Sequence, residues 1–385
     1  MKKTDKIGNI VMLVTYVLMG FGCGALLVGF ADPSGQGFLA YMARLLLGVA
    51  LLYAALMLQI IFHEGGHLVF GLLSGYRFVS FRIGSFLWIK QGDGIAFRRY
   101  SLTGTAGQCL LEPPEWNDGI PYVLYNLGGI TMNFLTAGVS VALAALFPAG
   151  SLGRLIFGVL ALAGFGLGLT NGIPLHVSGI DNDGMNVFSL GKNKKALRAF
   201  WIQMLLNKAN GEGVRLRDMP KEWFPLPDDE AMANSMTSTL EVFRCNRLMD
   251  EHRFAEAEEA MSTVIQGENA VLGIHKNLLT CDRILCEALG ENREEVLSEL
   301  APKKLYTFFK TMKNNPTILR TEIVLALFLE KDEEKAEKLR ALFEKVVKNY
   351  PYGGEVETER EFLSLAEERA EKEEKSSCNS ENTVV

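Results

Sequence analysis

Charged residues are absent from four long stretches in the first half of this 385-residue sequence. The stretches without Asp, Glu, Lys or Arg are residues 7–31, 45–62, 119–153 and 155–180. Each is long enough to cross a hydrocarbon core about 30 Å thick. Such runs are not expected in a soluble domain, so they predict an α-helical polytopic membrane protein with about four spans.

A basic excess is also missing. The chain has 39 Lys and Arg against 45 Asp and Glu, which gives a net charge of −6. Residues 1–190 contain 10 Lys and Arg against 9 Asp and Glu, which leaves 29 Lys and Arg against 36 Asp and Glu in the remainder. Phosphate binding requires a basic face, so no nucleic-acid partner is expected. The counts predict a nearly neutral membrane half followed by an acidic soluble half.

Cysteines are few and lack the spacing of a scaffold. Six are present, and no two of them form a CxxC pair; they stand at positions 23, 109, 245, 281, 286 and 378. Neither their density nor their spacing fits a disulfide framework. We therefore expect free thiols in a reducing compartment.

The few basic residues of the membrane half predict its orientation. Lys2, Lys3 and Lys6 precede an apolar run that is long for a signal peptide, so residues 1–37 are interpreted as a retained signal-anchor span and its loop. The positive-inside rule then places the N-terminus in the cytosol and residues 32–36 outside. Four spans return the C-terminus to the cytosol, as in a multi-pass protein of the cell membrane. Arg44 is expected to reach the interface by snorkelling.

Residues 76–111 do not have a helical pattern. Phe86, Trp88 and Lys90 alternate with Leu87 and Ile89, and a Gln-Gly-Asp-Gly turn separates them from a second strand-like segment at 95–100. This pattern predicts a small membrane-associated β-hairpin or curved sheet. The alternative is a surface loop with incidental aromatic residues.

The second half of the chain predicts a cytosolic, α-helical, repeat-like soluble domain over residues 191–370. Residues 240–265 have the pattern of two helices around Glu251-His-Arg, and residues 323–350 repeat it around Lys331-Asp-Glu. Such pairs resemble tetratricopeptide repeats, although the Trp/Gly/Tyr signature is missing. The tail at 371–385 is charged and rich in Ser and Asn, so disorder is expected there.

The candidate metal ligands and the candidate catalytic base stand together in His63-Glu64-Gly65-Gly66-His67. Histidines four residues apart project from one face of a helix, where both imidazoles can reach one metal ion. Glu64 is placed to take a proton from the attacking water, whose pKa a zinc ion would lower towards 7. This pattern predicts a zinc site.

The same motif occurs by chance in soluble helices, but here an apolar run leads into it and another follows it. Ionisable groups at the membrane boundary are unfavourable unless they have a function, which favours the metal site. Gly65 and Gly66 each disfavour a helix by about 1 kcal/mol relative to alanine. We expect them to allow another backbone to approach the metal-bearing helix.

A third metal ligand has to come from elsewhere in the chain. His252 and His275 lie in the soluble half and are interpreted as surface or packing residues. The fourth span ends in Asn171-Gly-Ile-Pro174, and the following segment offers His176, Asp181 and Asp183. Irregular backbone at membrane depth is tolerated where it is buried in protein, so any of these three side chains could be delivered to the site.

Three motifs together resemble the signatures of the site-2 protease family. They are the HExxH motif, Gly129-Ile-Thr-Met-Asn133 in a later span, and Asn171-x-x-Pro174 followed by Asp183-Gly184. That family consists of intramembrane zinc metalloproteases with a three-span core. The resemblance covers residues 45–190 and assigns 38–190 as a membrane metalloprotease core; it does not include the helical second half.

The resemblance implies a role for each matching residue. His63, His67 and Asp183 would bind Zn²⁺, Glu64 would be the catalytic base, Asn171 would stabilise the oxyanion, and Asn133 would help to receive the substrate. The chain departs from the family pattern in two places. Ile130 stands where the family usually has proline, and a longer gap after Pro174 leaves Asp181 as a rival ligand.

Each asparagine has a simpler interpretation when taken alone. Asn133 would form an interhelical hydrogen bond, and Asn171 would cap a helix end. Only their combination with HExxH favours the catalytic roles.

The resemblance implies hydrolysis of a membrane protein or peptide substrate near the cytosolic face of the bilayer. The strands at 76–111 could pair with an unwound substrate, as in strand addition. The alternative function is an inactive, metal-binding membrane scaffold that recruits a cytosolic protein through its helical domain. An intact Glu64 argues against that alternative, and the lack of a paired repeat gives a transporter little support.

Overall fold

The computed structural model describes residues 3–31, 37–101, 105–177 and 180–381. The chain divides into two compact units, and the division differs from the predicted domains. The first unit comprises Met1–Lys90 and Gly104–Trp201, and the second comprises Gln91–Thr103 and Ile202–Val385. The predicted outer loop at 32–36 lies outside the described residues.

Four helices of the first unit are long and apolar enough to span a membrane, which confirms the predicted number of such segments. They are α1 (Lys3–Ala31, apolar from Gly8), α2 (Phe38–Leu73), α3 (Tyr122–Ala145) and α4 (Leu152–Gly172). Large apolar side chains cover their outer faces; Phe21, for example, is 75% exposed and Leu39 is 82% exposed. A soluble protein rarely exposes so much apolar surface, whereas a bilayer would cover it.

Helix α2 is longer than a single membrane span requires. Its 36 residues extend over about 54 Å at 1.5 Å per residue, against a hydrocarbon core of about 30 Å. The HExxH motif therefore lies in a continuation of the spanning helix. Near the other end of α2, Arg44 donates to the Phe30 carbonyl at the end of α1, at 3.3 Å.

The segment between α2 and α3 forms strands, which makes the surface-loop alternative wrong. The strands are β1 (Arg77–Ile83), β2 (Phe86–Gln91), β3 (Gly94–Arg99) and β4 (Gly107–Glu112). Strand β1 lies between β2 and β4 and is antiparallel to both. In β2, Leu87 and Ile89 are buried and alternate with exposed neighbours, which fits the alternation of a strand.

One part of this segment does not group with the first unit. Residues Gln91–Thr103, predicted as part of the protease core, belong to the second unit. The physical reason is long-range contact with Tyr350: Arg98 donates to its carbonyl at 2.9 Å, and the Tyr100 ring meets its ring edge-on at 5.4 Å. Because these residues lie far apart in the sequence, no local pattern predicts such contacts.

The first unit ends later than the predicted boundary at Leu190. After α4 come β5 (His176–Val177), β6 (Ile180–Asp181), α5 (Asp183–Leu190) and α6 (Lys194–Gly211). The first turns of α6 belong to the first unit because aromatic side chains hold them there. Trp201 donates to the Pro114 carbonyl at 2.9 Å, and Phe200 lies 6.3 Å from Tyr125 between ring centroids.

The second unit is built from helices and has its own apolar core. After the end of α6 its helices are α7 (Asp229–Met232), α8 (Ser235–Asp250), α9 (Phe254–Gln266), α10 (Gly273–Leu289), α11 (Glu294–Leu300), α12 (Lys303–Thr311), α13 (Pro316–Leu325), α14 (Glu333–Val347) and α15 (Gly353–Glu381). Short 3-10 helices lie at Leu216–Asp218 and Lys221–Trp223, and a π-helix lies at Ala326–Glu330. Both predicted helix pairs are present, as α8 with α9 and as α13 with α14.

Helix α15 continues to Glu381, into the segment for which disorder was expected. The reason is local: Glu and Lys have high helix propensity, and Lys375 pairs with Glu371 one turn earlier. Residues 382–385 lie outside the described part of the chain. In the same unit, Arg320 is completely buried and bonds to Glu359 and Asp282, which joins α13 to α15 and α10.

Candidate metal centre

The HExxH motif lies entirely within α2, so the helical period determines which side chains meet. His63 and His67 stand one turn apart on one face, with ring centroids 4.8 Å apart. Their Nε2 atoms are 3.2 Å from each other. Both side chains are largely buried, so the two imidazoles converge on one point inside the protein.

The third member of the cluster is Asp183, the first residue of α5. Its Oδ2 lies 3.1 Å from His63 Nε2 and 3.4 Å from His67 Nε2. Ligand atoms of the three residues lie within 4.8 Å of one another. The structure thus brings together the three residues that were predicted as metal ligands; metal binding itself stays a prediction.

Asn182, which sequence analysis overlooked, fixes the position of Asp183. Its Oδ1 caps α5 by accepting from the Met185 amide at 2.9 Å. Its Nδ2 donates to the carbonyls of Thr170 and Ile173 at 2.7 Å each. Because Asn182 joins the end of α4 to the start of α5, Asp183 begins its helix against the histidines. An Asn directly before an Asp-Gly helix start was the available signal.

The rival ligands lie elsewhere. Asp181 pairs with His176 across the β5–β6 turn, through Oδ1 and Nδ1. Neither side chain belongs to the convergent group around His63. The longer gap after Pro174 is therefore taken up by a two-stranded turn, and the Asp-Gly pair still reaches the cluster.

The other ring nitrogen of each histidine is occupied by an oxygen acceptor. His63 Nδ1 lies 2.7 Å from Asn133 Oδ1, and His67 Nδ1 lies 2.8 Å from the Tyr125 carbonyl. An imidazole that donates through Nδ1 has, when neutral, a lone pair on Nε2. Two lone pairs and a carboxylate oxygen therefore point at the same small volume.

This convergence is unfavourable without a positive charge between the three atoms. Asp183 Oδ2 is buried and has no hydrogen bond of acceptable geometry among the described residues, although both imidazoles are near. A proton on one ring or a cation would relieve the repulsion. Two imidazoles and one carboxylate are a ligand set of catalytic zinc sites, so the residues fit that metal.

The electrostatics of Asp183 also suit a ligand. Burial alone would raise the pKa of its carboxyl, but the two adjacent imidazoles, His63 and then His67, outweigh burial and lower that pKa well below its usual range. The group is therefore ionised at neutral pH, as a metal-binding carboxylate has to be.

The two glycines of the motif have different surroundings, so the expectation of close approach is correct for only one of them. A Cβ on Gly66 would lie 2.2 Å from the Gly128 carbonyl oxygen of α3, whereas a Cβ on Gly65 would meet nothing within 4 Å. Gly129 lies against the two imidazoles, and its Cβ would lie 2.6 Å from the His63 ring and 2.7 Å from His67 Nε2. Small residues of α3 thus let its backbone lie against the site.

Gly184 supports the site through a close contact with another backbone. A Cβ on Gly184 would lie 2.2 Å from the Gly172 carbonyl oxygen and 3.0 Å from that of Asn171. The close contact is with the end of α4. The Asp-Gly pair therefore places Asp183 by seating α5 on α4.

Glu64 faces strand β4. A Cβ on Gly107 would lie 2.6 Å from both Cγ and Oε1 of Glu64. The fully buried Arg82 of β1 holds this segment, since its guanidinium donates to the Gly107 carbonyl at 3.3 Å and to the Thr105 hydroxyl at 2.5 Å. An arginine among the apolar residues of a strand is the signal in the sequence that indicates this buried role.

The two asparagines of the resemblance lie in different environments. Asn133 is completely buried behind His63, and its predicted role in receiving the substrate stays a prediction. Asn171 is half-buried in the last turn of α4, and its amide donates to the Leu167 carbonyl at 2.9 Å. No hydrogen bond joins Asn171 to the histidines.

No protein-family model, curated protein or solved structure matches this chain.

Proposed function

We propose that this protein is an intramembrane zinc metalloprotease of the site-2 protease type. The observation that carries the proposal is the convergence of His63 Nε2, His67 Nε2 and Asp183 Oδ2 beside Glu64, at the end of an apolar helix. Ionisable groups so close to spanning segments are unfavourable unless they are paired or functional. A buried structural triad would have no use for a carboxylate at position 64.

His63, His67 and Asp183 would hold the zinc ion. When bound, the metal supplies Lewis acidity and favours ionisation of water at neutral pH. The chain supplies the remaining chemistry. Glu64 lies between the two histidines in sequence and outside the ligand set, so its carboxylate is free to accept a proton from the attacking water and return it to the leaving amine.

Strand β4 is the proposed docking edge for the substrate. It pairs with β1 on one side, and no strand of the described chain pairs with its other side. Its Gly107 touches Glu64, so a peptide added to this edge would pass the catalytic carboxylate in extended form. A helical membrane substrate has to be unwound before its peptide bond can be attacked, and an edge strand would hold the unwound chain.

Asn171 is proposed as the residue that stabilises the oxyanion. It stands in the last turn of α4, and its carbonyl lies against Gly184, the neighbour of Asp183. This backbone contact brings residue 171 close in the fold to the helix that carries Asp183, which supports the role. Its present bond to the Leu167 carbonyl is local and would be exchanged for one to the substrate.

The proposal includes a cytosolic location for the site and for both termini, with a membrane protein or peptide as the substrate. The four spanning helices support the membrane setting. The basic residues of 76–118 and the lysines at the N-terminus support the orientation.

The decisive experiment compares the wild-type chain with Glu64→Gln. Zinc content is measured on the purified full-length proteins, and cleavage is measured by comparing membrane proteomes of cells that express each. The variant should retain one zinc per chain and lose cleavage, because an amide cannot take the proton. Unchanged cleavage would refute the mechanism. A zinc-bound wild type that cleaves nothing would favour the scaffold function.

A further inference from the structure

Gln59 stands four residues before His63 on the same face of α2 and is completely buried. Its side chain joins α2 to both neighbouring helices. Nε2 donates to the Leu160 carbonyl of α4 at 3.1 Å, and Oε1 accepts from the Thr136 hydroxyl of α3 at 3.0 Å. A buried amide is unfavourable unless it is hydrogen-bonded, and here both of its ends are.

Asn133 of α3 lies between Gln59 and His63. Its Nδ2 donates to the Gln59 carbonyl and to Gln59 Oε1, at 2.9 Å each. Its Oδ1 lies 2.7 Å from His63 Nδ1. A continuous hydrogen-bonded path therefore runs from the Leu160 carbonyl through Gln59 and Asn133 to His63.

Backbone carbonyls determine the direction of every bond in this path. A carbonyl oxygen can only accept, so the Gln59 atom that faces Leu160 has to be the amide nitrogen. For the same reason, the Asn133 atom that faces the Gln59 carbonyl has to be Nδ2. Asn133 Oδ1 is thereby turned towards His63, and the hydrogen between them has to come from Nδ1.

We propose that Gln59 and Asn133 are positioning residues that hold His63 as its Nδ1–H tautomer and present Nε2 to the metal. This inference rests on the proposed function, because the tautomer matters only where Nε2 is a ligand. Partners behind a metal-binding imidazole fix its orientation and raise its basicity. His67 needs no such side chain, since the Tyr125 carbonyl performs the same task.

The test measures zinc affinity of the purified full-length chain by competition with a chelator. Asn133→Leu, which removes the acceptor, should weaken zinc binding about 10- to 100-fold. Asn133→Asp retains an acceptor for Nδ1 and should recover most of that loss. Ser140→Ala is the matched control, since Ser140 is buried two turns further along α3 and its hydroxyl bonds only within its own helix.

A double-mutant cycle separates positioning from general damage to the fold. Gln59→Leu alone should weaken zinc binding by a smaller factor than Asn133→Leu, and it should add nothing in the Asn133→Leu background. The visible spectrum of the Co²⁺-loaded protein should change with Asn133→Leu and not with Ser140→Ala.

Two results would overturn the inference while leaving the proposed function in place. One is unchanged zinc affinity in Asn133→Leu, and the other is a Gln59→Leu effect of equal size in both backgrounds. Failure of the wild-type chain to bind zinc would overturn both the inference and the proposed function.

Discussion

Gly66 of α2 and Gly128 of α3 lie backbone to backbone. A Cβ on Gly66 would lie 2.2 Å from the Gly128 carbonyl oxygen, and a Cβ on Gly128 would lie 2.4 Å from the Gly66 carbonyl oxygen. Neither neighbour is a flexible side chain that could move away. This contact lets α3 bring Asn133 and the Tyr125 carbonyl close enough to bond the two histidines.

The contact predicts opposite outcomes for the two glycines of the motif. Gly66→Ala should separate α2 from α3, lower zinc occupancy and abolish cleavage, because backbone atoms would have to shift by about 1 Å or more. Gly65→Ala should retain zinc, since its Cβ would meet nothing within 4 Å and alanine favours the helix by about 1 kcal/mol. Metal analysis of the two purified variants makes the comparison. Equal zinc loss in both would show that the helix contact is not the cause.

A second prediction concerns the choice between two carboxylates. Asp183→Ala should weaken zinc binding by more than about 100-fold. Loss of a metal ligand should have a larger effect than loss of a residue that only hydrogen-bonds a metal ligand. Asp181→Ala should leave most of the metal bound, since Asp181 pairs with His176. Chelator competition on both proteins is the measurement. If Asp181→Ala lost the metal and Asp183→Ala retained it, the ligand assignment would be wrong.

Gly107 provides a test of Glu64 that leaves the metal ligands intact. Gly107→Ala would place a Cβ 2.6 Å from Glu64 Oε1, so the carboxylate would have to move. Displacement of a catalytic group by about 1 Å can lower a rate 100-fold. We expect cleavage to fall on that order while zinc content stays unchanged.

Gly94→Ala is the control for Gly107→Ala. It is also a strand glycine, but its Cβ would make only an ordinary contact at 3.9 Å. Full cleavage by Gly107→Ala would show that Glu64 does not require its present position.

The second unit should lose stability as pH rises, through Glu355. Burial, with a smaller contribution from Glu359, raises the pKa of Glu355 from 4.5 to about 8. The folded state therefore holds this proton more tightly than the unfolded chain does, so the stability it contributes is present below about pH 4.5 and is lost as pH rises through about 8. Glu355→Gln should remove this loss.

Hydrogen exchange of α15 amides in the full-length protein, corrected for intrinsic rates, gives the opening free energy at each pH. Between pH 5 and 9 the opening free energy of the wild type should fall by about 1–2 kcal/mol more than that of Glu355→Gln. This difference is smaller than the free energy that corresponds to the full pKa shift, because Glu355 is only half-buried. Glu357→Gln, at an exposed neighbour, should behave as the wild type. Parallel pH profiles for wild type and Glu355→Gln would contradict the assignment.

The orientation of the chain is tested with reporter fusions. A reporter at Val385 should lie in the cytosol and one near Gln36 outside, because the lysines at the N-terminus stay inside and four spans follow. An external reporter at Val385 would mean that one of the four helices does not cross the membrane and that the site faces the other side.

Features set by short-range pattern could be predicted from the sequence. The absence of charge over 18 or more residues predicted each spanning helix, because a bilayer excludes charge along the whole length of a span. The four-residue spacing placed His63 and His67 together, since the helical period alone puts them on one face. Alternation predicted that β2 is a strand, although it did not indicate which of its faces is buried.

Tertiary structure decided what those elements meet. Asp183 rather than Asp181 reaches the histidines because Asn182 joins two helix ends, and Asn133 lies behind His63 because Gly66 and Gly128 let two backbones touch. The unit boundaries depend on Trp201 and Tyr350, whose partners are far away in sequence. Local spacing fixes neighbours within one element, whereas contacts between elements depend on how whole helices pack, which no local pattern encodes.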